Sequence, residues 1–168
     1  MPIRSLLCTV FRARACLHIC MAVLSLGVAA HVAAAGNVVI SQVYGGGGNS
    51  GASLRNDFVE LFNRSAEPVD LSGWCLQYAS STGAFTFANN QNVLLNGTVQ
   101  PGGYFLVQLG QGAGGTQALP TPDAGGLTAM SATTGKLALL NSCATAFGYA
   151  EPVVGGRVSD FVGYGTAN

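Results

Sequence analysis

The sequence predicts a single all-β domain, a sandwich or a barrel, over residues 36–168. Short runs rich in β-branched and aromatic residues recur between segments rich in glycine and asparagine, a pattern typical of β-sandwiches and barrels. Between these runs, no segment keeps apolar residues at helical spacing over about eleven positions. The length is enough for one domain with a buried core and too short for two.

Eight runs have the composition of strands. They are Val38–Tyr44, Phe58–Asn63, Gly73–Ala79, Ala84–Phe87, Asn92–Leu95, Tyr104–Leu109, Lys136–Leu140 and Ser159–Tyr164. In the second run, Val59 and Leu61 alternate with Phe58, Glu60 and Phe62. An unpaired carboxylate is costly to bury, so Val59 and Leu61 are expected to face the core.

Two glycine-rich segments, Gly45–Gly51 and Gly110–Gly126, are expected to be long loops. The first is expected to be flexible, and the second, which contains two prolines, to be the most mobile part of the domain. The first segment does not match a phosphate-binding loop, because neither Gly-Lys-Ser/Thr nor a helical pattern follows it. Its carbonyl oxygens and the Asp57 carboxylate leave one metal hypothesis open, a weak calcium site.

The first 35 residues have the pattern of a secretory signal peptide. Three arginines lead into an uncharged stretch, Ala15–Ala35, which ends in three alanines. We expect cleavage after Ala35 and export of residues 36–168 to the periplasm, the cell surface or the medium. The alternative is a retained membrane anchor, because the uncharged stretch is long enough to span a bilayer.

Residues 36–168 contain no histidine, four Lys or Arg and seven Asp or Glu, so their net charge is −3. This composition excludes Ser-His-Asp, Cys-His and histidine–metal chemistry from the domain and provides no basic patch for nucleic acid. We therefore predict no catalytic residue, no cofactor and no nucleic-acid partner. Because few charges are present to be screened, partner binding is expected to respond weakly to salt. Lys136 opens an apolar run and is expected to be a charge on an edge strand.

Signal cleavage leaves two cysteines, Cys75 and Cys143, and an even pair in an exported chain predicts a disulfide. Two buried free thiols are the alternative. Trp74 and Cys75 are adjacent in a predicted strand, so their side chains point to opposite faces. If Trp74 is a core anchor, the disulfide lies on the outer face of the sheet; the alternative for Trp74 is an aromatic platform for a sugar or a peptide. Asp70 is expected to accept hydrogen bonds from local backbone amides rather than to bind a metal.

Four motifs occur in order along the chain: VVISQVYGGGGNSGA at 38–52, DFVELFNRSAEPVDLSGWCLQY at 57–78, VQPGGYFLVQL at 99–109 and DFVGYG at 160–165. Together they resemble the lamin-tail domain family, in the variety found in secreted bacterial proteins. The resemblance implies an immunoglobulin-like β-sandwich that attaches or scaffolds and has no catalytic residues. The positions that match the family's motifs, all with structural roles, are Asp57, Val59, Glu60, Leu61, Asn63, Asp70, Leu71, Gly73, Trp74, Pro101 and Gly102.

Two functions fit these observations. The first is an exported, non-catalytic module that binds or scaffolds a protein or a cell-envelope polymer. A less favoured version of this function is carbohydrate binding through exposed members of Tyr78, Tyr104, Tyr149 and Tyr164. The second is the N-terminal accessory domain of an exported nuclease or phosphatase whose catalytic domain lies beyond Asn168. The reading frame after Asn168 distinguishes the two functions.

Overall fold

The computed structural model describes residues 36–85, 91–143 and 157–167, which fold as two facing β-sheets. All of these residues belong to one unit, Ala33–Asn168. The predicted signal peptide, residues 1–35, lies outside the described residues. Within the described ranges, no helix is long and apolar enough to cross a membrane.

Ten strands form three sheets in the described part of the chain. They are β1 (Val38–Tyr44), β2 (Asn56–Asn63), β3 (Val69–Asp70), β4 (Cys75–Ala79), β5 (Asn92–Leu94), β6 (Thr98–Val99), β7 (Tyr104–Gln111), β8 (Ala124–Gly125), β9 (Gly135–Leu140) and β10 (Val158–Tyr164). The first sheet has the order β1–β2–β7–β8 and the second β10–β9–β4–β5, while β3 and β6 form a two-stranded sheet. The pairs are antiparallel except β7 with β8. This arrangement confirms the predicted all-β sandwich.

The core lies between the first and second sheets, where alternate residues of the strands meet. Val59 and Leu61 of β2 are fully buried there, which confirms the direction predicted for them. From the second sheet, Leu76 of β4 and Leu137 and Leu139 of β9 belong to the same apolar cluster. The outer face of the first sheet is therefore the face that carries the alternate residues of β2.

Hydrogen bonds join the two sheets where β1 meets β10. The Ile40 N–H donates to Oδ2 of Asp160 at 2.7 Å, and the Ser159 hydroxyl donates to the Val38 carbonyl at 2.8 Å. The Gly36 N–H donates to the Ser159 carbonyl at 2.6 Å. These bonds hold the sandwich together along one side and employ the Asp160 carboxylate as a backbone acceptor.

The strand prediction differs from the structure at Ala84–Phe87, begins β4 two residues early, at Gly73 instead of Cys75, and missed three short strands. Ala84 and Phe85 of the predicted strand Ala84–Phe87 belong to no strand, and residues 86 and 87 lie outside the described residues. The missed strands are β3, β6 and β8, with two residues each. Two residues are too few to show the alternation by which a strand is recognised in a sequence.

Lys136 is not an edge charge, and the sequence prediction for it is wrong. It lies in β9, which pairs with β10 on one side and with β4 on the other. Its cross-strand neighbours are Gly163 and Ala79, and its side chain is fully buried. The order of strands in a sheet depends on pairing between distant residues, so a lysine at the start of an apolar run does not reveal whether that run has a free edge.

The two glycine-rich segments pack against each other instead of forming loose loops. The Gly48 N–H donates to the Leu54 carbonyl at 2.8 Å, and the Gly114 N–H donates to the Gly48 carbonyl at 2.7 Å. Gly48 has a φ of +69°, and a Cβ at this position would collide with the backbone of Gly112. Glycine permits both the positive φ and the close approach. The segments expected to be flexible and mobile are thus fastened by backbone hydrogen bonds.

Candidate functional site

Asp57, at the start of the motif in β2, uses both carboxylate oxygens to hold backbone. Its Oδ1 accepts the Gly47 N–H at 2.8 Å, and its Oδ2 accepts the Met130 N–H at 2.8 Å. Burial raises the pKa of this carboxyl, and the two amide hydrogen bonds oppose that rise. Asp57 therefore joins the first glycine-rich segment to the chain that precedes β9.

Asp57, the acid of the calcium hypothesis, already uses both carboxylate oxygens to accept backbone N–H groups. Gly47 turns an N–H donor toward Asp57, whereas calcium requires oxygen ligands. In the part of the chain that the structure describes, no three His, Cys, Asp or Glu residues form a group that could hold a metal ion. The Asp57 carboxylate binds the backbone N–H groups of Gly47 and Met130.

Asn63, the last residue of β2, closes the turn that follows it. Its Nδ2 donates to the carbonyls of Glu67 and Val99 at 2.8 and 2.9 Å. Its Oδ1 accepts the Ser65 N–H at 3.0 Å and the Ser65 hydroxyl at 2.7 Å. This fully buried amide ties the turn to β6.

The segment from Asp70 to Trp74 is a turn that leads into β4. Oδ1 of Asp70 accepts the Ser72 N–H at 2.9 Å and the Ser72 hydroxyl at 2.6 Å, which confirms the expected local backbone acceptor. These bonds to Ser72 hold the pKa of Asp70 below its usual value. Gly73 has a φ of +79°, and the Trp74 N–H donates to the carbonyl of the fully buried Leu71 at 2.9 Å.

Trp74 packs against the core cluster and is only partly buried. The side chain of Trp74 therefore faces the core, as predicted, but it lies at the edge of the core and not at its centre. Leu76 and Tyr78, the alternate residues of β4, are the buried members of the same face. Trp74 is less buried than these two residues because it precedes β4 and belongs to the turn.

Pro101 and Gly102 form the turn before β7. Gly102 has a φ of +66°, and the Gly103 N–H donates to the Gln100 carbonyl at 2.8 Å. The turn also contacts Asn63, whose carbonyl accepts the Gly102 N–H at 2.9 Å and whose N–H donates to the Gly103 carbonyl at 3.0 Å. Pro101 and Gly102 thus fasten the start of β7 to the end of β2.

Cys75 and Cys143 form the predicted disulfide, with their Cα atoms 5.6 Å apart. Cys75 is fully buried in a second apolar cluster with Ala138 and Leu140, separate from the core between the sheets. The disulfide therefore lies on the outer face of the second sheet, as the adjacency of Trp74 and Cys75 predicts. The Cys143 N–H also donates to the Gly73 carbonyl at 3.0 Å.

The three described tyrosines singled out for carbohydrate binding differ in their exposure. Tyr78 is buried, and its hydroxyl accepts the Ser131 N–H at 3.0 Å. The Tyr164 hydroxyl donates to the Ser131 carbonyl at 2.7 Å, and burial raises the pKa of Tyr164 above its usual value. Tyr104 is exposed, and Tyr149 lies outside the described residues.

A pocket of about 240 Å³ opens on the outer face of the first sheet. Its lining combines one carboxylate, one amide and five apolar side chains, namely Glu60, Gln42, Leu54, Phe58, Leu106, Leu119 and Pro120. Of these, the sequence analysis placed Phe58 and Glu60 together on the outer face of β2. Gln42, Leu106 and the loop residues were missed, because a strand's alternation does not show which loop covers it.

The second glycine-rich segment forms one wall of this pocket because it is held on both sides of Leu119 and Pro120. Near its middle, Gln117 forms a bridge with Leu54, and the Gln117 carbonyl accepts the Arg55 N–H at 3.0 Å. Near its end, the Asp123 N–H donates to the Leu106 carbonyl at 2.9 Å, and Oδ2 of Asp123 accepts the Leu106 N–H at 2.7 Å. The intervening residues include Leu119 and Pro120, which line the pocket.

Glu60 is the one charged residue in the lining of the pocket. Its Oε1 accepts the Ser41 hydroxyl at 2.7 Å, and its cross-strand neighbours are Gln42 in β1 and Leu106 in β7. Among the described residues, no hydrogen bond reaches Oε2 of Glu60. The Phe58 ring stacks on Tyr44, with the ring centroids 5.5 Å apart. The pocket is thus an apolar recess with a single acidic group in its wall.

Comparison with known proteins identifies the family. No curated protein matches the chain. The family model of the Lamin Tail Domain matches residues 31–165, which are most of the chain and include every motif residue discussed above. This family comprises non-catalytic immunoglobulin-like domains that bind or scaffold. The chain belongs to the lamin-tail domain family.

Proposed function

We propose that this chain is an exported, non-catalytic binding and scaffolding module that attaches to a protein or to a cell-envelope polymer. Membership of the lamin-tail family supports the binding role. The signal-peptide pattern of residues 1–35 supports export. Two of the seven acids of the domain, Asp57 and Asp160, accept backbone N–H groups, which supports a structural role for them.

The pocket on the outer face of the first sheet is the observation that carries the proposal. It is a concave, mostly apolar recess with a few polar groups, which is the usual character of a binding site. The motif residues that form the turns, such as Asn63, Asp70 and Gly102, lie outside the lining of the pocket. A surface of this kind can accept a partner without a change in the fold.

Export is tested by expressing the full chain with a C-terminal tag in its native host. We expect the tagged protein in the envelope fraction or the medium. Its intact mass should correspond to an N-terminus at Gly36, or within about two residues of it. A mass that retains residues 1–35 would overturn the export part of the proposal.

Attachment is tested by retention of the exported protein on insoluble cell-envelope polymer and on immobilised envelope proteins. Leu119→Lys places a positive charge in the pocket and should reduce retention, whereas Leu127→Lys changes an exposed leucine outside the pocket lining and should not. Retention should fall less than tenfold between about 50 and 200 mM salt, because few charges are available to screen. Equal retention of both variants, or loss with Leu127→Lys alone, would show that the pocket is not the attachment site.

A further inference from the structure

We propose that the pocket on the outer face of the first sheet binds one arginine side chain of a partner peptide. The inference rests on the proposed binding function and names the chemistry of the group that is bound. The aliphatic part of the arginine lies along the apolar wall, and its guanidinium group pairs with Glu60.

The size of the pocket favours a single side chain over a larger ligand. Its volume of about 240 Å³ is below the range of about 300–1,000 Å³ typical of sites for drug-sized molecules. The recess is bounded by the sheet on one side and by Leu119 and Pro120 on the other. A side chain that projects from an extended peptide fits such a recess, whereas an oligosaccharide requires a longer cleft.

The chemistry of the lining selects a side chain with an apolar stem and a cationic end. The apolar wall is formed by Leu54, Phe58, Leu106, Leu119 and Pro120. Arginine and lysine place their methylene stems along apolar surface and keep their charge at the end. An uncharged apolar side chain would instead cover the Glu60 carboxylate without pairing it, which is unfavourable.

The state of Glu60 favours arginine over lysine. The Ser41 hydroxyl donates to Oε1 at 2.7 Å. Oε2 receives no hydrogen bond from the described residues, so the carboxylate has acceptor capacity left on both oxygens. A guanidinium group donates two parallel hydrogen bonds to a carboxylate, which an ammonium group does not.

Charge complementarity supports a cationic partner. Residues 36–168 have a net charge of −3, and the pocket lining contains no lysine or arginine. A partner cation is therefore attracted by the domain as a whole and meets no like charge in the lining. A single ion pair also agrees with the weak salt dependence expected from the composition.

The test is a titration of the isotope-labelled, exported protein, followed by two-dimensional NMR, with N-acetyl-arginine methylamide as the probe. The citrulline analogue is the matched control ligand, because it has nearly the same shape and no charge. We expect saturable shifts confined to residues of the pocket lining, and binding of citrulline about tenfold weaker. The lysine analogue should bind with an intermediate affinity.

Glu60→Gln should weaken arginine binding about tenfold while leaving the rest of the spectrum unchanged. Glu67→Gln, at an exposed position outside the pocket lining, is the matched control and should bind as the unchanged protein does. Equal affinities for arginine and citrulline, unaltered binding by Glu60→Gln, or shifts located elsewhere would overturn the inference.

The outcomes also separate this inference from the proposed function. If the exported protein is retained on an envelope partner but does not bind the arginine probe, attachment stands and the arginine pocket is wrong. If the probe binds in the pocket but nothing from the envelope is retained, the pocket stands and the attachment role is wrong.

Discussion

Oδ2 of Asp57 accepts the backbone N–H of Met130 at 2.8 Å, across 73 positions of the sequence. The same carboxylate accepts the Gly47 N–H through Oδ1. One acid at the start of β2 therefore positions two loops that would otherwise leave buried amides without partners. The family's motif acid is thus a structural acceptor in this chain.

Asp57→Ala should lower the free energy of unfolding by about 3 kcal/mol. The substitution leaves two N–H groups without acceptors, and an unsatisfied buried polar group costs about 1–3 kcal/mol. Urea unfolding, followed by the fluorescence of Trp74, measures the change. Glu67→Ala removes an exposed carboxylate and should change stability by less than about 0.5 kcal/mol. Equal stabilities of the two variants would contradict the role assigned to Asp57.

The raised pKa of Asp57 should make the free energy of unfolding depend on pH. Burial raises the pKa of Asp57 above its ordinary value of 3.8, so the folded state binds the proton more tightly than the unfolded state. The contribution of Asp57 to the free energy of unfolding therefore increases as the pH falls through the window just above 3.8. Asp70 has the opposite shift, and its contribution is lost below 3.8.

The measurement is urea unfolding of the unchanged protein and of Asp57→Asn between about pH 7 and pH 4. The stability of the unchanged protein relative to the variant should rise as the pH falls. A relative stability that falls over this range would show that the two amide hydrogen bonds outweigh burial.

Reduction of the disulfide should lower the free energy of unfolding by about 4 kcal/mol. Cys75 and Cys143 are separated by 68 positions, and a bond that closes a loop of this length restricts the unfolded chain strongly. Dithiothreitol should therefore destabilise the unchanged protein and have no effect on the Cys75→Ala/Cys143→Ala double variant. Finding both thiols open to alkylation in the native, unreduced protein would refute the bond.

Substitution by alanine should lower the stability of the protein by different amounts at two glycines of one loop, Gly48 and Gly51. Both have positive φ, +69° at Gly48 and +81° at Gly51, and therefore share the backbone strain of about 1–2 kcal/mol that a Cβ introduces. A Cβ at Gly48 also collides with the backbone of Gly112, whereas a Cβ at Gly51 meets nothing within 4 Å. Gly48→Ala should be the more destabilising by about 2 kcal/mol in thermal unfolding. Similar melting temperatures would show that the two segments do not pack closely.

The full exported chain should be inactive as a hydrolase. Its domain contains no histidine, and Asp57 and Asp160 hold backbone amides. Assays on DNA and on a generic phosphodiester with magnesium, calcium, manganese and zinc should show no turnover above buffer. Metal-dependent turnover that is abolished by Asp57→Ala, Glu60→Ala or Asp160→Ala would overturn the non-catalytic assignment.

Local patterns were enough to predict much of the architecture. The alternation in β2 identified Val59 and Leu61 as core residues, because successive side chains of any strand point to opposite faces. The same rule placed the Cys75 disulfide on the face opposite Trp74. These features require only the period of a strand and the count of cysteines, so no knowledge of distant contacts was needed.

The tertiary structure alone decided where the strands and loops lie. Lys136 lies on an interior strand because β9 is flanked by β4 and β10, and the pocket beside Glu60 exists because Leu119 and Pro120 are brought over β2. Both features depend on hydrogen bonds between residues far apart in the chain. The sequence determined which residues form strands and which side of each strand is apolar, and long-range backbone pairing determined which of those surfaces are covered and which form a site.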